Sequence, residues 1–150
     1  MEINFYCIND DINNFLYKFL LQLTEKEKRI VIYSESEAKI HKLDEMLWTL
    51  QHQDFLPHGI KKDGSIEHHP LYLTHEKENP NNSEFLLISN YLDDEEYLKQ
   101  FKKIFYVFTD TNIKSFENAK KNWDFYKTRN FGLKCLKKRD GGKWEESSEW

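Results

Sequence analysis

Short, continuous apolar runs alternate along this chain with segments in which apolar residues recur every three or four positions. Such runs are typical of strands buried on both faces, and the periodic segments are typical of amphipathic helices. The predicted strands are 3–8, 29–34, 70–76, 84–90, 103–110 and, at a sheet edge, 133–138. The predicted helices are 11–25, a second from a cap at Ser34 or Ser36 into the LDEMLW run, 92–101 and 112–129. This alternation predicts an α/β fold, a mostly parallel central sheet with helices on both faces.

Composition limits the chain to one ordinary folded domain. It has 150 residues with only 5 Gly and 3 Pro, and its 39% hydrophobic and 15% aromatic content argues against disorder. We expect a single domain over residues 1–139 and an acidic, flexible tail over 140–150. No apolar run is long enough for a membrane span, and MEINFYCINDD does not resemble a secretory signal. Cys7 and Cys135 are therefore expected to be free thiols in a cytoplasmic protein.

The net charge of −4 conceals a strong asymmetry along the chain. Residues 1–100 hold 10 basic and 19 acidic side chains, whereas residues 101–139 hold 11 and 3, and residues 140–150 hold 1 and 4. A basic block between two acidic ones favours an anionic partner at the C-terminal third, although a solvated, lysine-rich surface gives the same pattern.

The chemistry of an enzyme or of a nucleotide site is missing from the sequence. The turn after the first strand, NDDIN, has no glycine-rich phosphate loop, and its adjacent aspartates would repel phosphate. The histidines and cysteines show no metal-binding spacing. Asp93–Glu96 are interpreted as the start of a helix rather than as catalytic carboxylates. We expect no catalytic residues, no metal and no cofactor.

The helix predicted at the basic block has an aromatic strip. Phe116, Lys120, Trp123 and Lys127 fall within about 60° of one another on a helical projection. An aromatic strip edged by ammonium groups fits a peptide that is both apolar and anionic. Two other interpretations stay open: ordinary core packing of the aromatic residues, and contacts to the phosphates and bases of a nucleic acid.

A second candidate surface lies at residues 41–58, HKLDEMLWTLQHQDFLPH. Ile40, Leu43, Leu47 and Leu50 form the apolar stripe of this helix, and Trp48 lies about 100° away from it. Trp48 either packs under a loop or serves as a partner-binding anchor, for which tryptophan is suited.

The same stretch carries a resemblance. KLDEMLW followed by DFLPH resembles the signature of the chi subunit of bacterial DNA polymerase III, whose helix ends in DE-x-LW before an F-x-PH sequence. INFYCI, RIVIYSES and AKKNWDFYKTRNFG follow in that family's order and spacing, so the resemblance extends along most of the chain. It implies a Rossmann-like sheet, in agreement with the alternating pattern.

The resemblance implies a non-catalytic accessory subunit of the DNA polymerase III holoenzyme that contacts DNA mainly indirectly. Trp48, Phe55, Leu56 and Pro57 would bind the psi subunit or a psi-like partner, which joins chi to the clamp loader. A second set would bind the acidic C-terminal tail of single-stranded-DNA-binding protein: Lys120, Lys121, Trp123, Lys127 and Arg129. The alternative is a stand-alone α/β domain that binds nucleic acid or nucleotide.

Two features of this chain bear on tail binding. The family usually has a basic residue directly after the aromatic one, whereas this chain has Asp124, which can pair with Lys120 or Lys127. The final sequence WEESSEW is acidic and ends on Trp150, and so chemically resembles the expected ligand. This segment is either frayed or able to occupy the protein's own site or that of a neighbour.

Overall fold

The structure is a computed structural model that describes residues 1–50, 58–64, 69–138 and 142–150. The strands in these ranges are β1 Glu2–Cys7, β2 Ile30–Tyr33, β3 His58–Gly59, β4 Leu71–Thr74, β5 Phe85–Ile88, β6 Lys103–Phe108, β7 Gly132–Lys138 and β8 Trp144–Ser147. The helices are α1 Ile12–Glu25, α2 Glu37–Leu50, α3 Glu95–Leu98 and α4 Ile113–Thr128, with a 3₁₀ turn at Lys61–Asp63. None of these helices is long and apolar enough to cross a membrane.

Among the described residues, strands β3, β4 and β2 lie side by side in that order, and strands β6, β1, β7 and β8 do the same. β1 pairs in parallel with β6 and β7, and β4 pairs in parallel with β2 and β3, whereas β8 runs antiparallel to β7. The predicted α/β class with a mostly parallel sheet is confirmed.

The chain divides into two compact units, one of residues 11–86 and one of residues 1–10 and 87–150. The extent of a single domain over 1–139 therefore stays a prediction. In the unit of residues 11–86, the side chains of β2 and β4 are buried on both faces, as their continuous apolar sequences predicted. Asp11 begins α1 by accepting a hydrogen bond from the backbone N–H of Asn14 at 3.0 Å.

In the other unit, β1 lies between β6 and β7, and its side chains alternate between two environments. The ring of Phe5 packs on Trp123 and Tyr126 of α4, whereas the next residue, Tyr6, contacts Phe105 and Trp144. Because successive strand residues point to opposite faces of a sheet, α4 covers the Phe5 face of β1.

Local hydrogen bonds fix both ends of α4. Asn112 accepts a hydrogen bond from the backbone N–H of Ser115 at 3.0 Å and begins the helix. At the other end, Asn130 has a φ of 62°, and the N–H of Phe131 donates to the carbonyl of Tyr126. The rings of Phe131 and Tyr126 also contact each other, which completes a Schellman C-cap. The basic side chains of α4 therefore project from a helix with defined ends.

A buried amide ties α4 to the segment before α3. Asn122 is fully buried; its side chain donates to the carbonyl of Leu92 at 2.8 Å and accepts from the N–H of Leu92 at 3.0 Å. Because the Leu92 backbone is bonded in this way, the helix predicted at 92–101 is reduced to α3, which starts after the cap at Asp94. The interpretation of the carboxylates at 93–96 as a helix start agrees with this geometry.

Two other segments differ from expectation. The loop predicted at 59–69 contains the second residue of β3 and the 3₁₀ turn, elements too short to produce an apolar pattern. Within the tail predicted at 140–150, residues 144–147 form β8, so β8 rather than β7 lies at the sheet edge, and the flexibility of the tail stays a prediction. Every residue of β8 is exposed, and this mostly polar strand is held by pairing with β7 and by the contact of Trp144 with Tyr6.

Replacement of Asn122 by alanine should destabilise the chain by about 1–3 kcal/mol, because the buried N–H of Leu92 loses its acceptor. Lys121→Ala, at the exposed neighbouring position, should change stability by no more than about 0.5 kcal/mol. Urea unfolding followed by circular dichroism measures both. Equal midpoints for the two variants would show that the Asn122 hydrogen bonds do not stabilise the fold.

Candidate protein-binding surfaces

The residues predicted to bind an acidic peptide lie along α4. Lys120, Trp123 and Lys127 share one side of the helix by their spacing, but they differ in accessibility. Both lysines keep access to solvent, whereas Trp123 is only 2% exposed. Its ring lies 5.1 Å from that of Phe5 and 5.4 Å from that of Trp150, centroid to centroid. The predicted aromatic residue is therefore covered, in part by Trp150.

Trp150 lies in a pocket of aromatic side chains. Its ring stacks on Phe108 at 5.2 Å and lies within 5.4–6.0 Å of three other ring centroids, those of Trp123, Phe116 and Phe5. We call Phe5, Phe108, Phe116 and Trp123 the aromatic pocket. β1, β6 and α4 each contribute to it, and it accommodates an indole.

Lys120 stands at the rim of the aromatic pocket. Its Nζ atom is 5.7 Å from the centroid of the Trp150 ring, within the range of a cation–π contact. The same atom is 3.1 Å from Oδ1 of Asp124, one helical turn away, and both side chains are well exposed. The pairing expected of Asp124 is thus present, on Lys120. Exposed pairs of this kind are weak, about 0.3–0.5 kcal/mol, so the ammonium group stays available to another anion.

The remaining predicted residues of α4 divide between two sides. Lys121 is exposed beside Lys120. Arg129 follows the last turn on the opposite side of the helix from Lys120, where it lies 3.7 Å from Glu95 and 5.0 Å from the ring of Phe125. A hydrogen bond from Lys99, helped by the charge of Arg129, lowers the pKa of Glu95. Arg129 is therefore not brought together with the aromatic pocket.

Sequence reasoning missed the two strand residues of the aromatic pocket, Phe5 and Phe108. Both lie in runs that are apolar on both faces, so a core position was the natural interpretation. The register places Cys7 opposite Phe108 on adjacent parallel strands, which brings the ring of Phe108 to within 6.3 Å of that of Phe5. Only the strand order, which local sequence does not contain, reveals this arrangement.

The second candidate surface surrounds Trp48 on α2. Leu47 is fully buried, whereas Trp48 is 52% exposed and lies outside the core face of the helix. Its ring is 4.6 Å from that of His58. The Nε2 atom of His58 is 3.2 Å from Oδ1 of Asp44, and the His58 side chain is inaccessible to solvent. The inner side of Trp48 thus packs on the buried ring of His58, which lies beside Asp44. Phe55, Leu56 and Pro57 lie outside the described residues.

Comparisons with known proteins decide the family. The model of the family described as DNA polymerase III chi subunit, HolC, matches residues 1–134. The chain belongs to this family. The probable DNA polymerase III subunit chi of Rickettsia prowazekii (strain Madrid E) is 33% identical, over an alignment that covers 66% of each chain.

The family match covers both candidate surfaces of this chi-family chain but not its acidic end. Trp48 and the whole of α4 lie within the matched residues, whereas β8 and Trp150 lie beyond them. The surfaces therefore belong to the part of the chain that resembles other chi subunits, and the occupant of the aromatic pocket does not.

The chi-family chain also has a cavity of about 300 Å³ in the unit of residues 11–86. It opens at the carboxyl ends of β3 and β4, and its lining mixes Ile40, Ile60 and Leu73 with charged side chains such as Lys61. Such a position suits a ligand in α/β folds, but the Nζ atom of Lys61 is already 3.4 Å from Oε2 of Glu76. The described residues contain no cluster of His, Cys, Asp or Glu suited to a metal ion.

Adjacent residues of α2 offer a direct comparison. Leu47→Ala should destabilise the chain by about 2–5 kcal/mol, because it creates a cavity in the core. Trp48→Ala should cost less than about 1 kcal/mol, because half of its surface is already in water. Urea unfolding of the two variants tests the difference. A loss for Trp48→Ala as large as that for Leu47→Ala would make Trp48 a core residue and remove the argument for a binding surface.

Proposed function

We propose that this chain is a non-catalytic adaptor of the DNA polymerase III holoenzyme. It links the clamp loader to the C-terminal tail of single-stranded-DNA-binding protein during DNA replication. The observation that supports this most strongly is the aromatic pocket on α4, which holds an aromatic ring beneath a lysine ammonium group. Membership of the chi family supports the place in the holoenzyme.

The aromatic pocket suits a peptide with a large apolar side chain. Trp150 demonstrates its capacity, since an indole fits between Phe108, Phe116 and Trp123. Aromatic pairs in such tilted and stacked geometries stabilise contacts by about 0.5–1.5 kcal/mol each beyond burial of their surface. The pocket therefore supplies the apolar half of a recognition site.

The lysines of α4 supply the anionic half. Lys120 lies at the rim of the pocket, and Lys121 and Lys127 are exposed on neighbouring positions. Charge-assisted hydrogen bonds to a peptide carboxylate contribute about 1.5–3 kcal/mol each. Asp124 opposes this by pairing with Lys120, and we propose that Lys121 and Lys127 compensate. Arg129, bound to Glu95, attracts acidic residues only at longer range.

The second face of the adaptor would centre on Trp48. An exposed indole that packs on the buried ring of His58 is a well-supported anchor, and aromatic anchors dominate binding energy at interfaces. We propose that Trp48, with Phe55, Leu56 and Pro57, binds the psi subunit or a psi-like partner and so joins the clamp loader.

Two such faces on one chain act by tethering. Single-stranded DNA coated with its binding protein presents many tails, so a weak individual contact becomes a durable attachment through high local concentration. DNA itself is then contacted mainly through the binding protein. The acidic surplus of residues 1–100 agrees with this, since it disfavours a long nucleic-acid track.

A labelled acidic peptide with a hydrophobic last residue and a free carboxylate tests the α4 face. Asp124→Asn should bind this peptide about twofold more tightly than the wild type, because it releases Lys120 from an exposed ion pair worth about 0.3–0.5 kcal/mol. Lys120→Ala should weaken binding, and added salt should weaken binding to every variant. Fluorescence anisotropy measures all three.

The control for these titrations is Lys18→Ala on α1, which makes the same change in charge outside α4. Its affinity for the peptide should match that of the wild type. If Lys18→Ala and Lys120→Ala lose affinity for the peptide equally, the loss comes from the change in net charge and not from a contact with Lys120. Tight, salt-sensitive binding of a single-stranded oligonucleotide with no binding of the peptide would favour the alternative, a nucleic-acid-binding domain.

The Trp48 face has its own test. Trp48→Ala should weaken binding of the psi subunit at least about 30-fold, as expected for loss of a tryptophan hot spot of 2 kcal/mol or more. Lys120→Ala should leave this binding unchanged, because it lies on the other proposed face. Calorimetry with purified psi measures both. If Trp48→Ala binds psi as the wild type does, the proposed face is wrong.

A further inference from the structure

Residues 142–150, which we call the acidic segment, form a strap attached to β7. β8 pairs with β7 in antiparallel register from Lys138 opposite Trp144 to Cys135 opposite Ser147. An ion pair of 3.1 Å between Lys134 and Glu146 adds to this attachment. The segment continues past β8 and places Trp150 in the aromatic pocket.

The two tryptophans of the acidic segment hold it on opposite faces of β1. Trp144 contacts Tyr6 at 5.7 Å, and Lys138 lies over its ring. Trp150 lies on the other face, against Phe5 and the rest of the aromatic pocket. Because Phe5 and Tyr6 are successive strand residues, the segment must pass around the edge of the sheet to reach both.

The chemistry of the acidic segment matches that of the peptide proposed for α4. It carries three glutamates, at 145, 146 and 149, and presents an aromatic ring to the pocket. The ring lies beneath Lys120, the same group that would attract an incoming carboxylate. An external aromatic side chain and Trp150 therefore cannot occupy the aromatic pocket at the same time.

The attachment of the acidic segment is also weak enough to be reversed. All four residues of β8 are exposed, and Trp150 remains 36% exposed within the pocket. The ion pair of Lys134 and Glu146 lies in solvent, where such pairs stabilise by less than about 1 kcal/mol. Tethering, with an effective concentration in the millimolar range, keeps a weak ligand of this kind in place.

We propose that residues 142–150 are a built-in competitor for the aromatic pocket. The segment occupies the site on α4 until an acidic peptide of a partner displaces Trp150, and it thereby sets a threshold concentration for binding. This inference rests on the proposed function, because it assigns a regulator to the same site. The acidic segment lies beyond the residues that match the family model, so the proposed threshold comes from a segment outside the chi-family part of the chain.

Trp150→Ala, with the rest of the chain unchanged, tests the proposal. If the segment fills the pocket for about nine-tenths of the time, the variant should bind the acidic peptide about tenfold more tightly than the wild type. Trp150→Phe is the matched control: it keeps an aromatic ring in the pocket and should give a smaller gain. Circular dichroism and thermal unfolding establish that both variants are folded.

Displacement can be observed directly by fluorine NMR. The chain has four tryptophans, so labelling with 5-fluorotryptophan gives four signals, and Trp150→Phe identifies that of Trp150. Addition of the peptide should move the Trp150 signal towards its position in the unfolded chain. Binding of the peptide with no change in this signal would overturn the proposal.

The outcomes separate the inference from the proposed function. If the wild type and Trp150→Ala bind the peptide with equal affinity, the peptide site stands, but the acidic segment is not a competitor for it. Weaker binding by Trp150→Ala makes Trp150 part of the binding surface and also overturns the proposal. Absence of binding to the wild type and to Trp150→Ala alike overturns the peptide site itself, and the competitor with it.

Discussion

The ring of Phe5 is the contact on which the unit of residues 1–10 and 87–150 depends. It is fully buried, and it meets rings from β6, α4 and the acidic segment: Tyr106, Phe108, Trp123, Tyr126 and Trp150. A side chain of another shape would alter the position of α4 on β1 and, with it, the aromatic pocket. The core and the candidate site therefore share the buried side chains of Phe5, Phe108 and Trp123, and the surface of α4 is as rigid as the packing beneath it.

A rigid surface suits the proposed adaptor function. The aromatic pocket is lined by two strand residues and two helix residues, all supplied by elements with fixed ends, so an incoming side chain meets a site that is already formed. The lysines around it differ in this respect, since they are long and exposed. If the proposed peptide binds here, the rigid aromatic pocket would select one large side chain, and the mobile lysines would accept different acidic residues before it.

The sequence predicted the strands and helices well where local pattern decides them. The runs at 3–8 and 103–110 correspond to β1 and β6, and the periodic segments correspond to α1, α2 and α4. The local pattern failed to predict β8, because the mostly polar sequence of this strand is held by contacts with residues distant in sequence, its pairing with β7 above all. The spacing of Lys120, Trp123 and Lys127 predicted a common helix side. The spacing did not predict that Trp123 is buried between Phe5 and Trp150. This burial depends on the strand order, which local sequence patterns do not contain.

The pairing of β8 with β7 has a consequence for the behaviour of the chain in concentrated solution. When β8 leaves, the backbone donors and acceptors of β7 form an open sheet edge, the kind of surface at which proteins aggregate by strand addition. β7 carries Lys134, Lys137 and Lys138, so two open copies would repel each other along this edge. β8 carries glutamates, one of which pairs with Lys134, so the charges of β7 favour pairing with β8 over pairing with a second copy of β7.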